Sequence, residues 1–329
     1  MDLPLLSACF MAFALTLYVV LDGFDLGVGI LLLFQSASAS RNHMVDSITP
    51  TWDGNETWII MAGVTLLAAF PTAYSILLPA FYLPVILMLL ALGFRGVTFE
   101  FRVQSQGHRP AWDRAFAIGS LIAAFMQGAV LGGLVQGVTV QNERFAGSIL
   151  DIVRPLPLLS GITLPVGYAV LGGGWLKLKS SLALQPIATR AIRVAAPLFA
   201  VLLCIAAIYA AAIQPAVRSR WASHEIALAC LVGLFALGTG TLTALAKRSR
   251  PVLPLLLGLC NCVISIAAVA LLLFPDLVPF SLSLWDVASS SMSQRFVLIG
   301  AAFVTPVVLT YSAFAYWVFR GRTPEKGWG

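Results

Sequence analysis

Long apolar runs recur along the whole chain, and each is about as long as a helix must be to cross a bilayer. Roughly 20 consecutive apolar residues span the hydrocarbon layer as a helix. Of the 329 residues, 59% are hydrophobic and only 10% are charged, whereas an ordinary soluble domain carries about 25% charged residues. The chain is therefore predicted to be an all-α polytopic membrane protein, and its polar connections are too short to hold a soluble domain.

Nine runs are long enough to be predicted transmembrane helices, with Pro71 separating the second from the third. They extend approximately from Leu5 to Phe34, Asn55 to Phe70, Tyr74 to Phe94, Trp112 to Val138, Leu156 to Leu176, Val194 to Ile213, Glu225 to Ala246, Val252 to Phe274, and Phe296 to Phe319. A structural break is expected between the fourth and fifth helices, at Gln141 to Pro157.

Lysine and arginine are concentrated in alternate connections, and in membrane proteins such basic connections are cytoplasmic. With the N-terminus outside, fifteen of the twenty basic residues fall on the cytoplasmic side: Arg41, Arg95, Arg102, Arg109, Arg114, Lys177, Lys179, Arg190, Arg193, Lys247, Arg248, Arg250, Arg320, Arg322 and Lys326. The pattern predicts an outside N-terminus, a cytoplasmic C-terminus and an odd number of helices.

Four carboxylates stand where the first two predicted helices meet the cytoplasmic edge. Asp22 and Asp25 lie near the end of the first run. Asp53 and Glu56 open the second run, and each pair is three residues apart, so its members share a helix face. An ionised carboxylate near hydrocarbon costs roughly 2.5–3.5 kcal/mol, and such residues commonly mark ion or proton pathways. The favoured hypothesis is a carboxylate chain that carries protons from the cytoplasm towards a buried reaction centre.

Two structural explanations stay open for the same residues. Asp53 could cap the second helix with Glu56 at the third position, as in a capping box. Asp22 and Asp25 could be interfacial carboxylates that hydrogen-bond to the second helix or reach water. In either case the carboxylates would stabilise the fold without moving protons.

Metal and haem ligation have no suitable residues within the predicted helices. His43 and His108 fall in cytoplasmic connections and His224 at an outer helix boundary, whereas an axial ligand for a haem in the membrane has to lie deep in a helix. The five cysteines show no C-x-x-C spacing. Basic residues form no single patch, and no phosphate-binding glycine motif is present. We predict no cofactor or metal bound by this chain alone, and no nucleic-acid partner.

The acidic motifs and three further stretches resemble subunit II of the cytochrome bd quinol oxidases, a family that includes the cyanide-insensitive oxidases. The resemblance spans nearly the whole chain in the expected order. The matching stretches are DGFDLGVG at 22–29, SITPTWDGNETWII at 47–60, FRGVTFEFR at 94–102, SLWDVASS at 283–290 and YSAFAYWVFRGR at 311–322.

The resemblance implies an architecture and a partner. It implies nine transmembrane helices arranged as two four-helix bundles, residues 1–140 and 141–294, plus a peripheral helix with a cytoplasmic tail, residues 295–329. It also implies a partner, subunit I, that holds haems b and d. The complex would oxidise quinol and reduce dioxygen to water in the aerobic respiratory chain, within the bacterial inner membrane and with the N-terminus of this chain in the periplasm.

The resemblance also implies roles for particular residues. Asp22, Asp25 and Asp53 match positions of a hydrophilic path that delivers protons through the subunit interface. Glu56 stands where some relatives have glutamine, so its part in proton transfer stays open. Trp58 matches a tryptophan beside a hydrophobic route for dioxygen.

A proton- or ion-coupled secondary transporter, or a channel subunit, is the main competing function, because intramembrane carboxylates and glycine-rich helices also occur there. A pure assembly subunit without a proton path is a third hypothesis. The sequence does not distinguish ubiquinol from menaquinol, and it leaves cyanide sensitivity undecided. It also leaves open whether a quinone is held as a structural lipid and whether a small single-helix accessory subunit joins the complex.

Overall fold

The computed structural model of the chain describes residues 2–105, 107–180, 184–248 and 251–324. Arg250 and Lys326, counted above among the cytoplasmic basic residues, lie outside the described residues, as does the end of the predicted tail at 325–329. Helices account for 81% of the structure. The prediction of an all-α fold is confirmed.

Twelve α-helices are formed within the described residues. They are α1 (Leu3–Leu32), α2 (Ser38–Asp46), α3 (Trp52–Ala69), α4 (Pro71–Ala80), α5 (Tyr82–Gln104), α6 (Arg109–Gln136), α7 (Pro155–Lys179), α8 (Gln185–Ile213), α9 (Pro215–Ser223), α10 (Glu225–Leu245), α11 (Val252–Leu273) and α12 (Ser291–Val318). A 3-10 turn (Ile149–Val153) and two short antiparallel hairpins lie in the connections. The hairpins are β1 (Val140–Gln141) with β2 (Arg144–Phe145), and β3 (Asp276–Val278) with β4 (Leu282–Ser283).

Eight of the described helices are long and apolar enough to cross a membrane, namely α1, α5, α6, α7, α8, α10, α11 and α12. The helix α3 is missing from this set because Asp53, Asn55 and Glu56 make its first turns polar. The polytopic class is confirmed, whereas the predicted count of nine spans is not confirmed.

The third predicted helix, Tyr74 to Phe94, differs most from the structure. It is broken at Phe81 between α4 and α5, where Pro84 has no N–H to donate to the carbonyl of Ala80. At its other end α5 continues past Phe94 to Gln104. Arg95, predicted to lie in a cytoplasmic loop, is therefore inside a helix and fully buried, and the prediction for this residue is wrong.

The helix α1 lies at the centre of the fold and packs against α3, α6, α7 and α12. It approaches α7 with backbone against backbone. A Cβ atom added at Gly27 would lie 1.9 Å from the carbonyl oxygen of Tyr168, and one at Gly172 would lie 2.3 Å from the carbonyl carbon of Gly27. Only glycine allows such an approach.

One cluster of buried apolar side chains runs through both halves of the chain. It includes Phe24 of α1, Phe116 of α6, Leu171 of α7 and Ile192 of α8. The core is therefore continuous across the predicted boundary between 140 and 141. The division into 1–140, 141–294 and 295–329 stays a prediction.

The helix ends lie at two opposite faces of the protein, and at each face hydrogen bonds join connections that are distant in sequence. On what we call the C-terminal face, the Thr323 N–H donates to the Lys179 carbonyl at 2.9 Å. On the N-terminal face, the backbone N–H of Ser289 and the side-chain amide of Gln294 donate to the Ala69 carbonyl at 2.8 and 2.9 Å. The ends of α7 and α12 thus meet at the C-terminal face, and the end of α3 meets the start of α12 at the N-terminal face.

Candidate functional site

Three helices meet at a buried arginine. The Nη2 atom of Arg95, on α5, donates to Oδ1 of Asp22 on α1 at 2.6 Å and to Oε2 of Glu56 on α3 at 3.1 Å. The side chains of Arg95 and Asp22 are fully buried, whereas that of Glu56 is 22% exposed. The structure thus brings together two of the predicted site residues through a cation that the sequence interpretation placed elsewhere.

Asp25 is held by a different set of groups, one helical turn further along α1. Its Oδ2 atom accepts a hydrogen bond from Nδ2 of Asn55 at 2.7 Å. Oδ1 of Asn55 in turn accepts from the hydroxyl of Tyr316, on α12, at 2.8 Å. Asp25 and Asn55 are both buried. A continuous polar connection therefore links α1, α3 and α12.

A second polar branch leads from Asp22 towards α7. The hydroxyl of Tyr18 lies beside the Asp22 carboxylate and accepts a hydrogen bond from Nε2 of Gln127 at 2.6 Å. Oε1 of Gln127 accepts from the hydroxyl of Tyr168 at 2.8 Å. Both tyrosines are buried, so this branch runs through the interior of the protein.

Several atoms of the site are buried without a hydrogen-bond partner among the described residues. They are Oδ2 of Asp22, Oδ1 of Asp25, and Nε and Nη1 of Arg95. Buried polar atoms in folded proteins nearly always have a partner, and ordered water commonly supplies it. These atoms therefore mark positions where water would complete the network.

Asp53 lies outside this network. It is exposed in the first turn of α3, one turn before Glu56. The helix begins at Trp52 after Thr51, and no side chain accepts a hydrogen bond at its start. The alternative in which Asp53 caps the helix as part of a capping box is therefore wrong.

Trp58 occupies an apolar seam between α1 and α3. Its ring is fully buried and contacts that of Phe13 edge-on, with centroids 5.8 Å apart. Ala14 and Ala62 belong to the same apolar cluster. Trp58 thus lies less than one helical turn beyond Asn55 and Glu56 along α3.

An ionic cluster at the C-terminal face holds the end of α5. The Nε atom of Arg102 donates to Asp113 at 2.7 Å, and its Nη2 atom donates to Asn42 at 2.5 Å. Nearby, burial raises the pKa of Asp46 at the end of α2, while Arg102 opposes this shift. Asp46 is therefore a protonatable group at the protein edge, outside the membrane helices.

Asp286 lies at the N-terminal face, far from the other carboxylates named above. Its carboxylate accepts hydrogen bonds from the backbone N–H and the hydroxyl of Ser283, at 2.9 and 2.6 Å. These bonds hold the pKa of Asp286 below its usual range. The geometry is that of a turn-stabilising residue.

Sequence interpretation missed Arg95, Asn55 and Tyr316 as members of the site. For Arg95 a signal existed, because the apolar run continues beyond it through Val97 and Phe99. Buried carboxylates such as Asp22 are commonly paired with a cation, which was a second reason to expect one nearby. Tyr316 gave no such signal.

Comparisons with known proteins agree on one family. The sequence model described as cytochrome bd terminal oxidase subunit II matches residues 3–319. The chain is 28% identical to the cytochrome bd-I ubiquinol oxidase subunit 2 of Escherichia coli K12, over 94% of this chain and 92% of that protein. It is 27% identical to the cytochrome bd ubiquinol oxidase subunit 2 of Bacillus subtilis, over 94% and 93%.

A solved structure shares the fold. The bd oxidase of Geobacillus thermodenitrificans contains a chain that superposes with a TM-score of 0.79 at 16% identity, covering 97% of this chain and 99% of that one. The family match over nearly all residues and the shared fold lead to one conclusion: the chain belongs to the cytochrome bd terminal oxidase subunit II family.

Proposed function

We propose that this chain is the haem-free subunit II of a cytochrome bd-type quinol oxidase, in which it supports a haem-bearing subunit I and delivers cytoplasmic protons for the reduction of dioxygen. The ubiquinol oxidase activity named for the Escherichia coli and Bacillus subtilis relatives makes a quinol the expected reductant. Family membership favours this role over a transporter or channel subunit.

The observation that carries the proposal is the charge balance of the buried site. Among the residues that the structure describes, the guanidinium of Arg95 donates hydrogen bonds to the carboxylates of Asp22 and Glu56, and the buried carboxylate of Asp25 lies one helical turn from Asp22. Full ionisation would leave an excess of buried negative charge, which is costly in a low-dielectric interior. Neutrality is reached when protons bind, so the site is suited to taking up and releasing protons.

The arrangement of exposure supports a direction of transfer. Asp53 is exposed, Glu56 is partly exposed, and Asp22 and Asp25 are fully buried. Protons entering at Asp53 would pass Glu56 before reaching the buried pair. The orphaned oxygens of Asp22 and Asp25 provide positions for the water molecules that such a relay needs.

The positions of the three histidines support the proposal that this subunit holds no haem of its own. His108 and His224 are exposed, and His43 lies on the short helix α2 outside the membrane spans. No cluster of three or more potential metal ligands occurs within the described ranges. Dioxygen chemistry is therefore assigned to haems in the partner subunit.

Orientation follows from charge. The C-terminal face carries exposed Arg109, Arg114, Arg190, Lys247 and Arg248, and basic connections are cytoplasmic in membrane proteins. We place this face in the bacterial cytoplasm and the N-terminus in the periplasm. The buried carboxylates then open towards the compartment from which protons are taken.

Trp58 is proposed to border the dioxygen route. Its indole is fully buried in an apolar seam with Ala14 and Ala62. Dioxygen is apolar, and such a seam excludes the charged groups of the proton path. The two routes would thus use adjacent but separate parts of α3.

The test is an Asp25→Asn variant of the two-subunit complex. The amide keeps the size of the side chain and can still bond to Asn55, but it cannot carry a proton. We expect quinol-driven oxygen consumption to slow by about tenfold or more, with the haem absorption spectrum and subunit yield unchanged. An Asp286→Asn variant is the matched control and should keep the wild-type rate. Loss of haem in Asp25→Asn, or an unchanged rate, would contradict the proposal.

A further inference from the structure

A basic cavity opens at the C-terminal face, away from the carboxylate site. It has a volume of about 860 Å³ and is lined by residues of α7 and α8, by residues that follow α10 and precede α11, and by Arg322 after α12. Six basic side chains line it: Lys177, Arg190, Arg193, Lys247, Arg248 and Arg322. The other lining residues are uncharged and include Gln185, Thr189 and Val194.

These positive charges have no carboxylate partner in the part of the chain that the structure describes. The ion pairs formed there use other arginines, namely Arg41, Arg95, Arg102, Arg154 and Arg220. Like charges gathered in one cavity repel each other, and a bound anion relieves that repulsion. The cavity therefore has the electrostatics of an anion site.

The basic side chains of the cavity differ in exposure: Lys177 is buried and held by hydrogen bonds, whereas the others are exposed to solvent. The Lys177 ammonium is buried and donates to the Thr189 hydroxyl at 3.1 Å and to the Ala246 carbonyl. Arg190, Arg193 and Lys247 are exposed. Lys177 is thus fixed by the fold, and the exposed basic side chains remain available to a ligand.

Two helix starts add to the positive field. Gln185 and Pro186 of the first turn of α8 line the cavity, as does Pro251 immediately before α11. The N-terminal end of a helix carries partial positive charge and favours phosphate groups. This contribution is independent of the six basic side chains.

One face of α8 leads from the cavity into the membrane. Arg190 is followed on the same face by Val194 and then by exposed Leu198, Val201 and Ile205. This face of α8 is therefore basic beside the cavity and apolar further along the helix. A phospholipid has the same order, with a charged phosphate headgroup followed by apolar acyl chains. A soluble phosphate compound would make no use of the apolar part.

We propose that this cavity binds the headgroup of an anionic phospholipid, with its phosphates on the basic side chains and an acyl chain along α8. Basic cavities between membrane helices on the cytoplasmic side are suited to lipids of this class. The volume lies within the roughly 300–1,000 Å³ typical of small-ligand sites. Six basic side chains carry more positive charge than one phosphate group can offset, which favours a lipid with two phosphates, such as cardiolipin.

The test measures lipid retention by the purified two-subunit complex. Native mass spectrometry would count bound cardiolipin during titration of the wild type, of an Arg190→Gln/Arg193→Gln variant and of an Arg109→Gln/Arg114→Gln control. The control removes two exposed arginines near the start of another helix at the same face. Because each basic residue near a membrane surface contributes about fivefold, the first variant should bind cardiolipin about 25-fold more weakly. The control should bind it like the wild type.

A parallel arm separates the lipid from soluble phosphates. ATP and inorganic phosphate, each added to the lipid-free complex, should leave its unfolding temperature unchanged, whereas cardiolipin should raise it in the wild type and the control. Equal cardiolipin binding by all three proteins would overturn the proposal. Stabilisation of the wild type by ATP or phosphate in place of cardiolipin would also overturn it, because the ligand would then be soluble.

Discussion

The buried carboxylate site and the basic cavity differ in how their charged side chains are neutralised. In the buried site, Arg95 is enclosed and its guanidinium is shared between Asp22 and Glu56. In the basic cavity, Arg190 and Arg193 are exposed and have no carboxylate partner among the described residues. Arg95 is buried together with carboxylates of the same chain that offset its charge, whereas exposure leaves Arg190 and Arg193 free to bind a partner from outside.

The largest loss of stability is expected when Arg95 is removed from the buried carboxylate site. Arg95→Leu leaves the buried Asp22 carboxylate without a cation, which costs about 3–5 kcal/mol. We expect a strongly reduced yield of complex and a lower unfolding temperature. An Arg95→Leu/Asp22→Leu variant should be more stable than Arg95→Leu alone, because it removes the stranded charge as well.

An exposed arginine, Arg114, provides the control for the Arg95→Leu variant. Arg114→Leu, at the C-terminal face, should change the free energy of unfolding by no more than about 0.5 kcal/mol. If Arg95→Leu and Arg114→Leu behaved alike, the difference between enclosed and exposed charge would have no energetic basis.

A smaller effect is expected at the helix contact that encloses the site. Gly27→Ala would place a methyl group 1.9 Å from the Tyr168 carbonyl oxygen, so α1 and α7 must move apart. Such overpacking costs about 3 kcal/mol, and thermal unfolding of the complex would report it. At Gly63 an added Cβ meets no atom within 4 Å. Gly63→Ala should therefore be neutral or slightly stabilising, and an equal loss in both variants would argue against close α1–α7 packing.

The smallest effect is expected at the entrance of the proposed proton path. Asp53 is exposed, so water can bypass it, and Asp53→Asn should slow oxygen consumption by about two- to threefold without loss of haem. Asp25→Asn should slow it more. Steady-state oxygen uptake by both variants, at matched haem content, gives the ranking. A larger effect of Asp53→Asn would place the rate-determining group at the surface instead of in the buried site.

Much of the fold was predictable because membrane helices are specified locally. An apolar run of sufficient length forms a helix wherever it occurs, and the runs at α1, α6, α10 and α11 were located within a few residues. The break at Phe81 and the extension of α5 were missed although each had a local signal, Pro84 for the break and the apolar residues Val97 and Phe99 for the extension. A window of 20 residues does not show that Asp22 and Glu56 lie beside Arg95, and this pairing is what allows an arginine inside the buried part of α5.

The sequence by itself determined the membrane class, the family resemblance and the acidic residues that stand out in an apolar chain. The tertiary structure alone decided which of them share a site. It buried Arg95 against Asp22, left Asp53 in solvent, and joined Asn55 to Tyr316 across 261 positions of the chain. Hydrophobicity acts on each segment separately and can therefore be predicted from local sequence. Pairing of buried charges and hydrogen-bond partners depends on which helices become neighbours, and only the folded chain establishes that.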